Sequence, residues 1–339
     1  MALTRDVQAK AIVRPPFRAC AAPTFNNVAA TIDPSGTRRT ERRYLPSLLD
    51  CCLPNPWNDS LATLSLIVSN GLIEVGALMM DLTNGWNFRP STLDRAVYNG
   101  VVNFNEYRLP ETFSSCDVVV DIGCHIGSFA HAAVTRGCRY VAGYEPDREN
   151  FAIASDHLRD AIEQGLVRLT QAAVWRSDPN DDELRFDGYH PFPESFPGMQ
   201  GTLNTGNGSV IWGEGEVVPK LAFDDIIDSL TNGGQRRIRL VKLDCEGSEW
   251  PILLTSSRLH LIDEICGEFH ELGGEYLEIT EDRSLPAPIF RQDPAARYTV
   301  ADLDRLLSGA GFTFTYLRHH RPSGDPEGLG LFFAARSKR

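Results

Sequence analysis

VVVDIGCHIGSF, Val118 to Phe129, is an apolar strand that ends on a carboxylate and runs at once into two glycines four positions apart. In an open α/β sheet, ligands lie beyond the carboxyl ends of the strands. There a glycine turn lets the backbone come close, and the next helix offers its N–H groups. Gly123 and Gly127 stand in that turn. A dinucleotide fingerprint reads GxGxxG, whereas this turn reads GCHIG, with Asp121 two residues before its first glycine.

The next strand, within YVAGYEP, ends on Glu145, twenty-two positions after Gly123. A carboxylate there accepts both hydroxyls of a ribose. NAD enzymes use the same acid, so Asp121 and the missing middle glycine must discriminate. Asp121 would repel a pyrophosphate but suits a ligand with an amino group and a positive sulfur, which describes S-adenosylmethionine. The cofactor residues expected on this reading are Asp121, Gly123, Cys124, His125, Gly127, Glu145 and Pro146. Ala173, Val174 and Trp175 are expected to flank the adenine. A plain structural reading stands beside this one: the glycines permit a tight turn and Glu145 caps the helix that follows.

From Asp117 onward, apolar runs of strand length alternate with helix-length segments: VVVD, YVAGYE, LVRLTQAAVW, IRLVKLD, LIDEICGEF, FTFTYL and GLFFAA. Helices are expected over Ile126–Arg136, Asp147–Glu163, Ala222–Leu230, Ser248–Ser256 and Thr299–Ser308, with Asp147, Ser248 and Thr299 as N-caps. The last two strands are close enough for an antiparallel hairpin at a sheet edge. The fold class is α/β: a seven-stranded, mostly parallel, Rossmann-like sheet covered by helices, with an N-terminal extension. An insertion rich in Pro, Gly and aromatics spans 176–219, with strands expected near Leu184–Phe186 and Ser209–Val218.

The 339 residues are 42% hydrophobic and 23% charged, with a formal net charge of −12. That balance fits a globular protein and speaks against a nucleic-acid groove. Residues 1–43 carry eight basic side chains against Asp6, Asp33 and Glu41 and read as a basic arm, with a cap over 44–103 and the main domain over 104–339. The eight cysteines show no zinc spacing and are read as reduced. The N-terminus lacks the pattern of a secretory leader, and Leu61 to Met80 is interrupted by Ser69, Asn70, Gly71 and Glu74. A cytoplasmic protein with no membrane span is expected. A homodimer is an open option, in which Trp57 or Trp86 serves as an interface anchor or as core.

DIGCHIGSF, YEPDRENF, LAFDDII and VKLDCEGSEWPIL resemble, in order and spacing, the successive motifs of the FkbM family of S-adenosylmethionine-dependent methyltransferases. FNEYRLPETFSSCDVV resembles the extended segment that feeds the first strand in that family, so the resemblance covers about Phe104 to Arg336. It implies a class I methyltransferase fold and transfer of a methyl group, usually to oxygen, on natural products, sugars and related metabolites. Cys124-His125 departs from the family's usual small residues after the first glycine.

Methyl transfer to a hydroxyl needs a proton acceptor beside the reacting atoms. The carboxyl ends of the central strands offer Asp244 and Glu246, then Glu268, His270 and Glu271. His270 has the most suitable ordinary pKa and is the expected base, with His190 as its rival and Asp244 and Glu246 as further catalytic candidates. His190, Asn204 and Glu268, together with Phe192, Phe196 and Asn207, are expected around the acceptor. No metal is assigned, although Asp244, Glu268 and His270 form a set that could hold a divalent cation against two adjacent hydroxyls. The alternatives are N-methylation of a small amine, an NAD-dependent oxidoreductase, and a cofactor-binding protein without turnover.

Overall fold

The computed structural model describes residues 86–191, 201–211, 215–272, 298–320 and 326–337. The expected basic arm, residues 44–85 of the cap, Trp57, the Leu61 to Met80 stretch, Phe192, Phe196 and the side chain of His190 lie outside the described residues. Within them, the chain runs through α1 (Asp94–Tyr98), β1 (Val119–Ile122), α2 (Ser128–Thr135), β2 (Val141–Tyr144), α3 (Arg148–His157), α4 (Arg159–Glu163), β3 (Val167–Thr170) and β4 (Ala173–Trp175). Short strands β5 (Arg185–Phe186), β6 (His190–Pro191), β7 (Leu203–Asn204), β8 (Glu216–Val217) and β9 (Lys220–Ala222) follow. The remainder is α5 (Phe223–Thr231), β10 (Ile238–Leu243), α6 (Glu249–Thr255), β11 (Ile262–His270), α7 (Val300–Gly309), β12 (Thr313–His320) and β13 (Pro326–Ala335).

Seven strands form one sheet in the order β12-β13-β11-β10-β1-β2-β3. All neighbours are parallel except β13, which runs antiparallel to both β11 and β12 and makes the expected edge hairpin. The strands are apolar on both faces because helices cover both. Val119 packs with Phe129 and Ala133 of α2, whereas Val120 and Ile122 belong to the core around Phe223, Ile227 and Trp250. In α5, Phe223, Ile226, Ile227 and Leu230 recur at helical spacing and are all buried, each contributing roughly 1.5–3 kcal/mol relative to exposure. With β2 on one side of β1 and β10 on the other, the chain reverses its lateral direction between β1 and β10. A crevice opens at their carboxyl ends, where such sheets bind ligands.

Local chemistry sets the element boundaries. Helix α2 starts at Ser128 rather than Ile126 because Gly127 is left-handed, with φ 91°. Asp147 caps α3 by accepting from the Asn150 N–H at 2.7 Å, and Thr299 forms a capping box with Asp302. Ser248 holds the expected N-cap position of α6 but makes no side-chain capping bond. Glu249, the first residue of the helix, folds back onto the preceding turn and accepts from the N–H groups of Cys245 and Gly247 at 2.8 and 2.9 Å. The run LVRLTQAAVW divides after Thr170, and β4 leaves the main sheet to pair in parallel with β9. There Trp175 is buried and its indole N–H donates to Asp182 at 2.9 Å. The expected helix Asp147–Glu163 breaks at Leu158 into α3 and α4. In the insertion, β5 pairs with β8 and β6 with β7, so the second expected strand shrinks to two residues. Cys124, Cys138, Cys245 and Cys266 are free thiols.

The segment before β1 is tied to the sheet through Asp94, which is fully buried. Its carboxylate accepts from Arg89 Nη2 at 2.8 Å, Arg89 Nε at 2.9 Å and the Thr205 hydroxyl at 2.7 Å. Arg89 also donates to Asn150 Oδ1 at 2.7 Å, and the Asn150 amide donates to the Thr205 carbonyl at 3.0 Å. One ion pair thereby joins α1, the start of α3 and the insertion. Trp86 packs beside it, with ring centroids 4.1 Å from His157 and 4.7 Å from Tyr98, which makes Trp86 a core residue.

Two outcomes follow from this packing. Gly123 has φ +74°, and a Cβ there would sit 1.9 Å from the Asp244 carbonyl oxygen. Gly123→Ala should therefore destabilise the fold by about 3 kcal/mol or more in denaturant unfolding. Burial disfavours the Asp94 charge, but the bonds from Arg89 and Thr205 outweigh it and hold the carboxyl at about 2. Its stabilising contribution is complete above the ordinary value of 3.8 and is lost as pH falls through about 2. Asp94→Ala leaves the Arg89 guanidinium without its partner and should cost about 3–5 kcal/mol at neutral pH, with a flatter acid limb of stability than the parent.

Candidate active site

A cavity of about 220 Å³ opens at the carboxyl ends of β1 and β10. Seven of the ten expected cofactor residues line it: Gly123, Cys124, His125, Glu145, Pro146, Ala173 and Val174. Asp121, Gly127 and Trp175 do not. Gly127 acts through the backbone alone, since a Cβ there would meet Leu158 Cδ1 at 2.7 Å. Asn204, Asp244, Glu246 and Glu268 also line the cavity. Residues 86–103, read as cap, contribute Leu93, Val97 and Val101 to its wall.

Glu145 sits at the end of β2 with its carboxylate almost fully buried. It accepts from the His125 N–H at 2.7 Å and from the Asp147 N–H at 3.1 Å. Burial pushes it up to about 7 against those two hydrogen bonds. Each oxygen keeps a lone pair, so one side chain fixes the glycine turn, supports the α3 cap and can still accept from a ribose. His125 itself has a positive φ of 50°. Its Nε2 lies 2.8 Å from the Thr205 hydroxyl, and that hydroxyl donates to Asp94. The imidazole must therefore carry its proton on Nε2. Burial lowers His125 to about 4, so the ring is neutral with a bare Nδ1. Ser128, the first residue of α2, lines the same wall with a buried hydroxyl that has no protein partner.

Asp121 departs from its expected role. It is fully buried, and it stands opposite Lys242 in the β1–β10 register, with Lys242 Nζ 3.5 Å from its Oδ1. Burial pushes the Asp121 carboxyl up despite this ammonium. Lys242 Nζ also donates to the Gly123 carbonyl at 2.5 Å and lies 3.5 Å from Asp244 Oδ2. Asp121 thus faces a buried ammonium across the strand pair, while both of its carboxylate oxygens lack a hydrogen-bond partner among the described residues.

His270 also departs from its expected role. Its Nε2 is 3.3 Å from Glu246 and 3.8 Å from Glu268, and its Nδ1 is 3.4 Å from Glu249. Burial alone would lower it, but these carboxylates outweigh burial and raise it well above the ordinary histidine range. These carboxylates favour the charged form of the imidazole, which speaks against His270 as the base, and His270 does not line the cavity. The carboxylates beside it are nearer to base character: burial raises Glu246 to about 8 and Glu268 to about 7. Asp244 stays below its ordinary value: burial raises it, but Lys242, His270 and the Tyr107 hydrogen bond together outweigh burial. Ligand atoms of Asp244, Glu246, Glu268 and His270 all lie within 4.8 Å of one another, a donor set that could hold a divalent cation.

Sequence reasoning missed Tyr107, whose hydroxyl donates to Asp244 Oδ2 at 2.7 Å from the segment before β1, and the Arg89–Asp94–Thr205 ties. No motif marks them, because each depends on segments far apart in the chain. Lys242 did carry a signal: it is the one charge inside the apolar run LVKL.

A family model described as the methyltransferase FkbM domain matches residues 121–314. A comparison with curated proteins gives no match. Among solved structures, the methyltransferase FkbM from Methylobacillus flagellatus is 18% identical, with a TM-score of 0.37, and the match covers 70% of this chain and 47% of that one. The chain thus spans about half the length of that protein. The precorrin-6y C5,15-methyltransferase from Geobacter metallireducens is 12% identical over 72% of this chain and 87% of that one, at 0.33. The N-terminal domain of EvdMO1, solved with S-adenosylhomocysteine and D-fucose, is 14% identical over 66% and 76%, at 0.34. With its family match spanning more than half of the sequence, from the Asp121 turn to the edge hairpin, the chain belongs to the FkbM methyltransferase family.

Proposed function

We propose that this chain transfers a methyl group from S-adenosylmethionine to a hydroxyl of a small molecule. The observation that carries the reading is one cavity with a glycine turn and Glu145 at one end and three carboxylates, Asp244, Glu246 and Glu268, at the other. The first end suits a nucleoside and the second suits an acceptor that must lose a proton. When bound, S-adenosylmethionine supplies an electrophilic methyl on a sulfonium. Glu145 accepts the ribose hydroxyls, and the apolar Ala173 and Val174 flank the adenine. Methyl transfer is an in-line displacement, so the larger share of the rate comes from holding acceptor and methyl in line. The acceptor's proton passes to a carboxylate of the Asp244, Glu246, Glu268 group. A carboxyl near 7 is well matched to that task, and Glu268 meets the condition. An amine acceptor needs such a base less, and N-methylation remains the alternative on the same geometry. The acidic chain supports a small-molecule acceptor over a nucleic acid.

A second reading is favoured by the convergence of Asp244, Glu246, Glu268 and His270. Oxygen and imidazole donors at this spacing suit a divalent cation, which would bind two adjacent hydroxyls of the acceptor and lower their pKa.

Calorimetric titration with S-adenosylhomocysteine, with NAD as control, tests the proposal: binding of the first alone supports it, and binding of NAD alone overturns it. Glu145→Ala should weaken S-adenosylhomocysteine by about 1–3 kcal/mol, the range for hydrogen bonds to a charged group. Unchanged affinity would remove Glu145 from the ribose site. Titration of the protein with Mg²⁺ alone separates the metal-assisted reading from the metal-free one. Saturable binding that Glu268→Gln abolishes supports the former, and no heat at millimolar Mg²⁺ supports the latter.

A further inference from the structure

We propose that Tyr107 is a positioning residue that clamps Asp244 by one carboxylate oxygen and turns the other toward the acceptor. The inference rests on the methyl-transfer reading and adds a residue that lies outside the 121–314 family match. The geometry is one-sided. The Tyr107 hydroxyl, at 2.7 Å, and Lys242 Nζ, at 3.5 Å, both approach Asp244 Oδ2. No hydrogen-bond donor among the described residues meets Oδ1, and Asp244 lines the cavity with its side chain 24% exposed. One oxygen is engaged with the protein and the other is available to a ligand.

The clamp is rigid because the tyrosine is. Tyr107 is buried, and its ring packs edge-on against Phe129 of α2, with centroids 5.6 Å apart and planes at 82°. Its other face lies toward Lys242 Nζ, 5.7 Å from the ring centroid. The phenol therefore cannot swing away from Asp244 without breaking the packing beneath the glycine turn. The phenol's single O–H is donated to Asp244 Oδ2, so Tyr107 acts as a donor here. Lys242 balances the charge of Asp244, but an ammonium on a flexible stem does not fix the plane of a carboxylate. A buried phenol with one O–H does. In-line transfer is sensitive to misplacement of about 1 Å, which gives this orientation its value.

Sinefungin tests the idea without a known acceptor. It carries an amine where S-adenosylmethionine carries the transferable methyl, so it probes a carboxylate turned toward that point. S-adenosylhomocysteine has no group there. The ratio of the two affinities cancels any general loss of the pocket, which a merely structural role of Tyr107 would cause. In calorimetry on the full chain, the parent should bind sinefungin at least about tenfold tighter than S-adenosylhomocysteine, and Tyr107→Phe should reduce that ratio about tenfold. Asp244→Asn should remove the advantage, and adding Tyr107→Phe to it should change the ratio no further. Phe keeps the ring against Phe129, so the fold is retained. The inference is overturned if Tyr107→Phe keeps the parental ratio, if it lowers the ratio equally with Asn at 244, or if the parent shows no preference for sinefungin. Binding of neither compound overturns the methyl-transfer reading itself, a result distinct from each of those.

Discussion

A buried ammonium holds the two central turns of this protein together. Lys242 is 4% exposed, and removing its charge from water costs several kcal/mol unless partners replace the hydration. Burial alone would depress it, yet Asp244 and Asp121 outweigh burial and raise it above the ordinary lysine value. The pairing is written into the strand register, where Asp121 faces Lys242. Its donation to the Gly123 carbonyl then fixes the turn after β1 against the turn after β10. The carboxylate that ends the first strand is thus part of the frame, and the cavity is shaped around it.

From that frame the two ends of the site acquire different characters. The nucleoside end is built from backbone and from Glu145, whose two oxygens already serve two N–H groups. Its shape is set before any ligand arrives. The acceptor end is built from side chains with surplus negative charge, in which His270 is shared by three carboxylates. One end is specified by geometry and the other by electrostatics. The insertion touches both, since Thr205 bonds His125 and Asn204 lines the cavity.

Most of the fold was legible in the sequence because strand and helix periods and glycine turns are local signals. The seven strands, the edge hairpin and the caps at Asp147 and Thr299 all rest on such signals. The errors came where tertiary partners decide. Ser248 holds its N-cap position without a side-chain capping bond, and LVRLTQAAVW reads as one strand until Trp175 finds its place in a separate two-stranded sheet with β9. The glycine turn and Glu145 at the end of β2 were legible for the same local reason, and they line one cavity. Roles that depend on charge were not: Asp121 and His270 read correctly as groups at strand ends, but their partners, Lys242 and the three glutamates, determine what each can do. Tyr107 and Asp94 were invisible because their partners lie 137 and 111 residues away.

The order of strands also has a bearing on how the molecule is made. β11 carries Glu268 and His270, and its outer edge is covered by β13, which among the described residues is also the only sheet neighbour of β12. Until residues 326–335 leave the ribosome, β11 has an open edge and β12 has no place in the sheet. Domains form in part during synthesis, at about 5–20 residues per second. The turns after β1 and β2 can therefore assemble on the nascent chain, while the end of β11 that carries Glu268 waits for β13 to be placed between β11 and β12.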